Sequence, residues 1–488
     1  MKNYVWVFVE KFSVILVKFI TTAIMARFIL PKDFGSFAII NYIIITATVV
    51  IDSGLGGSII RKKNIKNIDY STINVFQIIS SIVVISILFV LGALISNYYN
   101  DLSLIIILKL MLICLFFRSL SVIYIAYMIK NMQFKKQAAI YLFATIISSI
   151  IAIVLAIYDF KYYALVAQQI IEAILIFFLV KFYTQTFIVK YNFSFDILKE
   201  HLDFGVKLTL SSFLDSLSNN FVINQITRNN GITIVGKYTQ VSRINELFLG
   251  VIMMTVDKAA LPTFVQYSHD LNQLKVISIK LLTLLSLFSY LMLAILITSS
   301  DSIVRIVLGV NWVESSWILQ LIAFCGFSQI IEIVLRNFLK SQGKSNIILF
   351  YGFLKILLLV IVLCICGFLL QSLKFILLGL VLASLINVVI YLLLISKALK
   401  IKVIQFFLSI IKPLCSALLT IFIVHIVENS LFIPSNFSFL SAVIRLFLNS
   451  LLVMGLYSLF LMLLGYRELK IFKNLLNSIL FLLKRRKF

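Results

Sequence analysis

Lys11, Lys18 and Thr22 fall at seven- and four-residue spacings inside the first apolar run of the chain, so a helix there carries two ammonium groups and a hydroxyl along one stripe. In the seventh run Lys207, Ser211, Asp215, Ser218, Asn219 and Gln225 lie within roughly 120° of one another at 100° per residue. Arg243 and Glu246 are three residues apart in the eighth run, and Glu332 and Arg336 four apart in the tenth, spacings suited to intrahelical ion pairs. Charge inside lipid costs several kcal/mol when it is unpaired, so these groups face a wet cavity or each other. The chemistry they offer is the binding of a polar or anionic ligand. The competing reading is interhelical hydrogen bonding that only holds a bundle together.

Each site has its structural alternative. Lys11 is placed to snorkel to the membrane surface, whereas Lys18 sits too deep to do so easily. Glu10 adjoins Lys11 but points about 100° away, which leaves its pairing open. Arg27 falls on nearly the opposite face from Lys18 and also reads as an interface anchor for loop carbonyls or Asp33. Asp52, in "IDSGLG", is a candidate for binding a coupling proton or cation, and equally for helix capping or an ion pair. The "GLGG" at Gly54–Gly57 has the glycine density of a nucleotide loop, but no strand precedes it and no P-loop lysine pattern follows, so close helix packing is the better reading. No HExxH, nucleophile elbow or ATP-binding motif is present in the sequence. The five cysteines lie in apolar blocks and His201, His269 and His425 lack metal-type spacing, so neither disulfides, metal sites nor a bound cofactor are expected.

The elements that hold these residues are membrane helices. A composition of 62% hydrophobic and 13% charged residues does not describe a soluble domain. Apolar blocks of about 20 residues, the length that crosses the hydrocarbon layer as a helix, fill nearly the whole chain. About fourteen are read, beginning near residues 5, 36, 73, 104, 138, 162, 205, 232, 276, 316, 347, 373, 409 and 439. The first reads as a retained helix and not as a cleaved signal. Alternating strands are missing from the pattern, which favours an all-α bundle over a barrel.

The net charge of +24 is distributed by loop and is no nucleic-acid footprint. The even connections are basic, among them "RKKNIK" at 61–66, Lys130, Lys135 and Lys136, and Lys397, Lys400, Lys402 and Lys412. The odd ones are poor in basic residues: "SNYYNDLS" and "VENSLFIPSNFSF" hold none, and "YDFK" and "QSLK" one each. By the positive-inside rule the even loops and both termini are cytoplasmic. The segment 467–488 has apolar residues at helical spacing and ends in Lys484, Arg485, Arg486 and Lys487, a pattern for a helix lying on anionic inner-leaflet lipid.

An internal repeat is also legible. Arg27, Gly35 and Phe37 in "ARFILPKDFGSF" are matched by Arg228, Gly236 and Tyr238 in "TRNNGITIVGKYT", each pair 201 residues apart. Six helices separate the copies, so the halves run in the same orientation, as in transporters built from two parallel repeats. The division expected is an N-terminal lobe at 1–200, a C-terminal lobe at 201–396, two further helices at 397–466 and the basic tail at 467–488.

"ARFILPKDFGSFA" and "DSGLGGSIIRK" together resemble the paired signature near the start of bacterial polysaccharide and O-antigen flippases, the polysaccharide-transport branch of the multidrug/oligosaccharidyl-lipid/polysaccharide (MOP) exporter superfamily. "HLDFGVKLTLSSFLD" resembles the start of that family's second half, and "GVNWVESSWILQLIAF" and "LKSQGKSN" resemble its later outer loop and tenth inner loop. The resemblance implies twelve core helices in two lobes plus two more. It also implies a non-enzymatic role: translocation of undecaprenyl-diphosphate-linked oligosaccharide across the bacterial cytoplasmic membrane for surface polysaccharide synthesis, with helices 1, 2, 7 and 8 lining the cavity. Other polysaccharide assembly proteins are its implied partners. For a diphosphate cargo the expected contacts are Lys11, Lys18, Arg27, Lys207, Asp215, Asn219, Gln225, Arg243 and Glu246. The energy source would be a proton or sodium gradient or that of the cargo itself. The alternatives are an ion-coupled small-molecule exporter of the same superfamily and, more distantly, a polysaccharide polymerase or glycosyltransferase, which would want a long outer loop that is missing here.

Overall fold

The computed structural model describes residues 2–62, 65–184, 192–267, 269–367, 371–399, 404–430 and 439–465. The basic tail expected at 467–488 lies outside them. Among the described residues the chain is all α: α1 Lys2–Met25, α2 Pro31–Asp52, α3 Leu55–Arg61, α4 Asn67–Tyr99, α5 Ser103–Lys130, α6 Phe134–Ile157, α7 Tyr162–Tyr183, α8 Phe195–Asn230, α9 Ile232–Gln266, α10 Leu271–Thr298, α11 Ser300–Val307, α12 Ser316–Ser341, α13 Ser345–Ile365, α14 Leu373–Leu399, α15 Ile404–Ser430 and α16 Phe439–Leu463, with a 3₁₀ turn at Val310–Ser315. Apart from the short α3 and α11, the long helices are those read from the sequence.

Among the described residues, eleven helices are long and apolar enough to cross a membrane. The chain is therefore an all-α, multi-pass membrane protein, with a large apolar surface left for lipid.

Two compact units are distinguished: one holds the described residues of Met1–Met254, Val307–Ile318 and Ser345–Ala383, the other those of Thr255–Ile306, Leu319–Lys344 and Ser384–Phe488. In the first, α1 packs on α6, α6 on α7, α7 on α5, and α5 on α2 and α4, while α8 packs on α2, α3, α4 and α13. In the second, α10, α15 and α16 pack together, with the Tyr457 hydroxyl donating to the Leu287 carbonyl at 3.0 Å and Arg445 and Asn449 both donating to Glu428 at 3.0 and 2.7 Å.

The stretch between α1 and α2 makes a tight corner. Pro31 opens α2, where its fixed φ and missing N–H suit the first helical turn. Four residues on, Gly35 meets α9: a Cβ on Gly35 would stand 2.0 Å from the Ile232 carbonyl oxygen, and one on Gly236 would stand 1.8 Å from the Pro31 oxygen. Pro31 and Ile232 are themselves 201 residues apart, so the repeat's two glycines clasp each other's helix starts symmetrically. Only hydrogen at Cα permits this approach. Trp312, fully buried, closes the corner with its indole N–H on the Ala26 carbonyl at 2.8 Å and its ring edge-to-face with Phe34. Asp101 accepts from the Ser36 hydroxyl at 2.9 Å and from both the amide and the hydroxyl of Ser103. Burial opposes its charge, but these donors outweigh burial and hold its carboxyl below the ordinary aspartate value.

At the other end of α2, Ser53 and Gly54 take left-handed conformations and the chain turns into α3. Gly54 lies against the backbone of Gly205 in α8. Here His201, buried, bridges Ser58 on α3 and Asp69 on α4 at 2.7 and 3.1 Å. Lys62 joins Asp69 at 2.8 Å and Glu200 at 2.7 Å. Burial works against the Lys62 charge, yet the two carboxylates prevail and hold its pKa above the ordinary lysine value. The Ser58 hydroxyl also lies 2.7 Å from the Leu55 carbonyl, and the Ser58, His201 and Asp69 side chains together clasp α3, α8 and α4.

Candidate functional site

A cavity of about 280 Å³ opens inside the first unit, lined by Ile15, Lys18, Phe19 and Thr22 of α1, Phe37 of α2, Leu165, Gln168 and Gln169 of α7, and Arg243, Glu246 and Leu247 of α9. Its polar groups come from three helices. The α1 contribution is the Lys18–Thr22 stripe, one turn apart. The Arg243 guanidinium donates to the Thr22 hydroxyl at 3.1 Å, so the cations of α1 and α9 share one wall although 225 positions separate them.

Lys18 reaches across to α7, where its ammonium sits 2.8 Å from Glu172 Oε2. The other Glu172 oxygen accepts from the Thr145 hydroxyl of α6 at 2.9 Å. The two side chains differ in access: Lys18 is 39% exposed and Glu172 5%. Gln168 donates to Ser149 at 3.2 Å, and Arg118 of α5 donates to the Gln169 side-chain oxygen. A cavity whose wall carries an exposed ammonium, a guanidinium, amides and a hydroxyl can seat a small anionic group by charge-assisted hydrogen bonds.

The sequence-derived candidates separate into groups. Lys18, Arg243 and Glu246 come together in the cavity. Lys11 lies two turns before Lys18 with an exposed side chain, 4.0 Å from buried Glu10, which also accepts from Gln137 at 3.5 Å. Arg27 is exposed beyond the end of α1, beside Gly309. Asp215 and Asn219 are exposed on α8. Gln225 is buried against Gly367, away from the cavity lining. Lys207 lies in α8, its side chain outside the described residues. Asp52 accepts from the Gly56 amide at 3.3 Å, a capping contact for α3. Glu332 and Arg336 share α12 in the second unit.

The polar face of α8 thus has a neighbour that spacing did not separate from it. Ser216 and Asn220 bond to Thr46 of α2 at 2.5 and 2.6 Å, and Asn224 accepts from Tyr99 of α4 at 2.9 Å. These residues recur every four positions and join helices. Sequence reasoning overlooked Glu172, Gln168, Gln169, Thr145 and Arg118. A signal existed for the first two: in "AQQIIEAIL" an amide and an acid stand four apart in an otherwise apolar run. Among the described residues, no three His, Cys, Asp or Glu side chains converge to hold a metal ion.

Residues 24–317 match the family model described as "Polysaccharide biosynthesis protein". The lipopolysaccharide biosynthesis protein WzxC of Escherichia coli K12 is 22% identical over 418 residues, covering 85% of each chain. Among solved structures, the lipid II flippase MurJ in an inward closed conformation superposes with a TM-score of 0.72 at 17% identity, covering 96% of this chain and 99% of MurJ. An inward-facing multidrug resistance MATE family transporter of the MOP superfamily gives 0.60 at 14% identity, covering 80% and 96%. The family match spans more than half of the chain, and the fold agrees from end to end with that of MurJ: the chain belongs to the polysaccharide biosynthesis protein family and has the helical fold of the MOP superfamily.

Proposed function

We propose that this protein flips undecaprenyl-diphosphate-linked oligosaccharide across the bacterial cytoplasmic membrane by alternating access, supplying the outer face with units for surface polysaccharide. The observation that carries the reading is the cavity in which Lys18 and Arg243 meet inside a bundle of MurJ-like fold. A diphosphate needs cations where water is scarce, and each charge-assisted contact contributes about 1.5–3 kcal/mol. The cavity suits the diphosphate and not a whole glycan, so loading requires the surrounding helices to part while the polyprenyl tail stays in lipid.

Deleting the gene should leave lipid-linked repeat units on the cytoplasmic side, and restoring it should move them. Normal export in the deletion strain would overturn the proposal. The orientation has its own test: a reporter fused after Asn100 reads external and one after Lys136 cytoplasmic, with both termini inside, and the reverse pattern would overturn the topology. The cavity's size, at the lower limit of pockets that take small ligands, also favours a second reading, an ion-coupled exporter of small molecules with Asp52 or a cavity acid as the ion site. Drug efflux unaccompanied by any glycan phenotype would decide for it.

A further inference from the structure

The Lys18–Glu172 pair is asymmetric in a way a purely structural ion pair is not. Glu172 is anchored: one oxygen is held by Thr145 of α6, the other by Lys18, and its side chain is 5% exposed. Lys18 is 39% exposed, lines the cavity, and ends on a flexible four-carbon stem. The ammonium can therefore turn to a ligand in the cavity, whereas the carboxylate stays behind. Arg118 of α5 donates to the Gln169 side chain. Arg243, the other cavity cation, has Thr22 as its partner.

We infer that Glu172 is an internal stand-in for the phosphate of the cargo: it holds Lys18 when the cavity is empty and yields it when an anion enters. This rests on the reading of the cargo as a diphosphate lipid. The physical need is plain for a carrier that must return empty. A cavity holding an unpaired cation resists closing around it, because a buried charge without a partner costs several kcal/mol. With cargo present the phosphate neutralises Lys18; with cargo gone Glu172 does. Glu172 is a positioning residue that acts through Lys18 and competes with cargo for it.

Competition of this kind separates binding from turnover. In Glu172→Gln, purified protein should retain undecaprenyl diphosphate about tenfold more tightly, while glycan export falls about tenfold at matched membrane level. Thr145→Val, which loosens the anchor without removing charge, should shift both quantities the same way by less. In a Lys18→Gln background the Glu172→Gln substitution should leave undecaprenyl diphosphate binding unchanged, since the residue through which it acts is gone. Binding that is equal or weaker in Glu172→Gln, or an effect that persists without Lys18, overturns the inference and leaves Glu172 a packing element. Wild-type protein that does not bind undecaprenyl diphosphate, together with export that survives Lys18→Ala, removes the cargo reading itself and this inference with it. Should Glu172→Gln fail to accumulate, the Thr145→Val comparison decides.

Discussion

Two places where the repeated halves of the chain meet are built in opposite ways. Where α2 and α9 begin, Gly35 and Gly236 lay backbone on backbone, with the carbonyl oxygens of Ile232 and Pro31 filling the space a side chain would take. Between α1 and α9, contact is made by polar side chains at an open cavity, Lys18 and Thr22 from α1 and Arg243 from α9. The first contact leaves no room for anything to enter and is secured by shape. The second is held by hydrogen bonds that a ligand can replace one for one. The proposed function needs both: a seam that fixes register, and a wall whose partners can be exchanged.

The largest effect comes from adding atoms to the seam. Gly236→Val or Gly35→Val places a branched side chain within about 2 Å of a carbonyl oxygen, and overpacking of that severity costs on the order of 3 kcal/mol or more. Lower membrane yield, an earlier thermal transition in detergent and lost export should appear together. A Gly236→Val protein of normal stability would show that the seam is loose.

The cavity should behave differently. Lys18→Ala and Arg243→Ala should each cut export by about 10-fold or more while the protein still inserts in the membrane, as loss of one charge-assisted contact requires; Lys18→Ala, which leaves the buried Glu172 without its cation, should also lower the melting temperature. Lys18→Arg should keep part of the activity and Lys18→Gln should not. Lys199, exposed near the start of α8, serves as the neutral control. Lys130 is unsuited to that purpose, because its ammonium donates to the carbonyls of Ile59 and Lys62 and so ties α5 to the end of α3. Normal export from both alanine variants would shift attention to Asp215 and Asn219 on α8.

Two smaller effects sharpen the description of the seam. The Asp101 carboxyl has a folded pKa below its unfolded value of about 3.9. Its stabilisation is therefore present above the unfolded pKa and is lost as pH falls through the folded one. Asp101→Asn should lower the melting temperature at pH 7, and the gap to wild type should narrow as the pH is taken from about 5 to 3. A constant gap would mean that the charge is not what stabilises the corner. Trp312→Phe keeps most of the ring and removes the indole donor to Ala26, which should cost about 1 kcal/mol with export nearly intact. Thermal unfolding in detergent reads it directly.

Much of this was legible in the one-dimensional pattern. Apolar blocks long enough to span lipid determine where the helices run, because a backbone in hydrocarbon must satisfy its own hydrogen bonds. The repeat at Arg27, Gly35 and Phe37 was visible as spacing, but the backbone-to-backbone approach at Gly35 and Gly236 was not. The Lys18–Thr22 stripe followed from the helical period. What each polar residue faces did not follow, because a 3.6-residue period assigns a side chain to a face and not to a neighbour.

On α8 that limit is plain. Asp215 and Asn219 stand exposed, while Ser216 and Asn220, one position along from each, bond to Thr46. The sequence by itself determined a polytopic helical membrane protein with polar residues concentrated in a few of its helices. Only the tertiary structure decided that Lys18 finds Glu172 and that Arg243 finds Thr22, since those partners lie 154 and 221 residues away and are chosen by how α1, α7 and α9 pack.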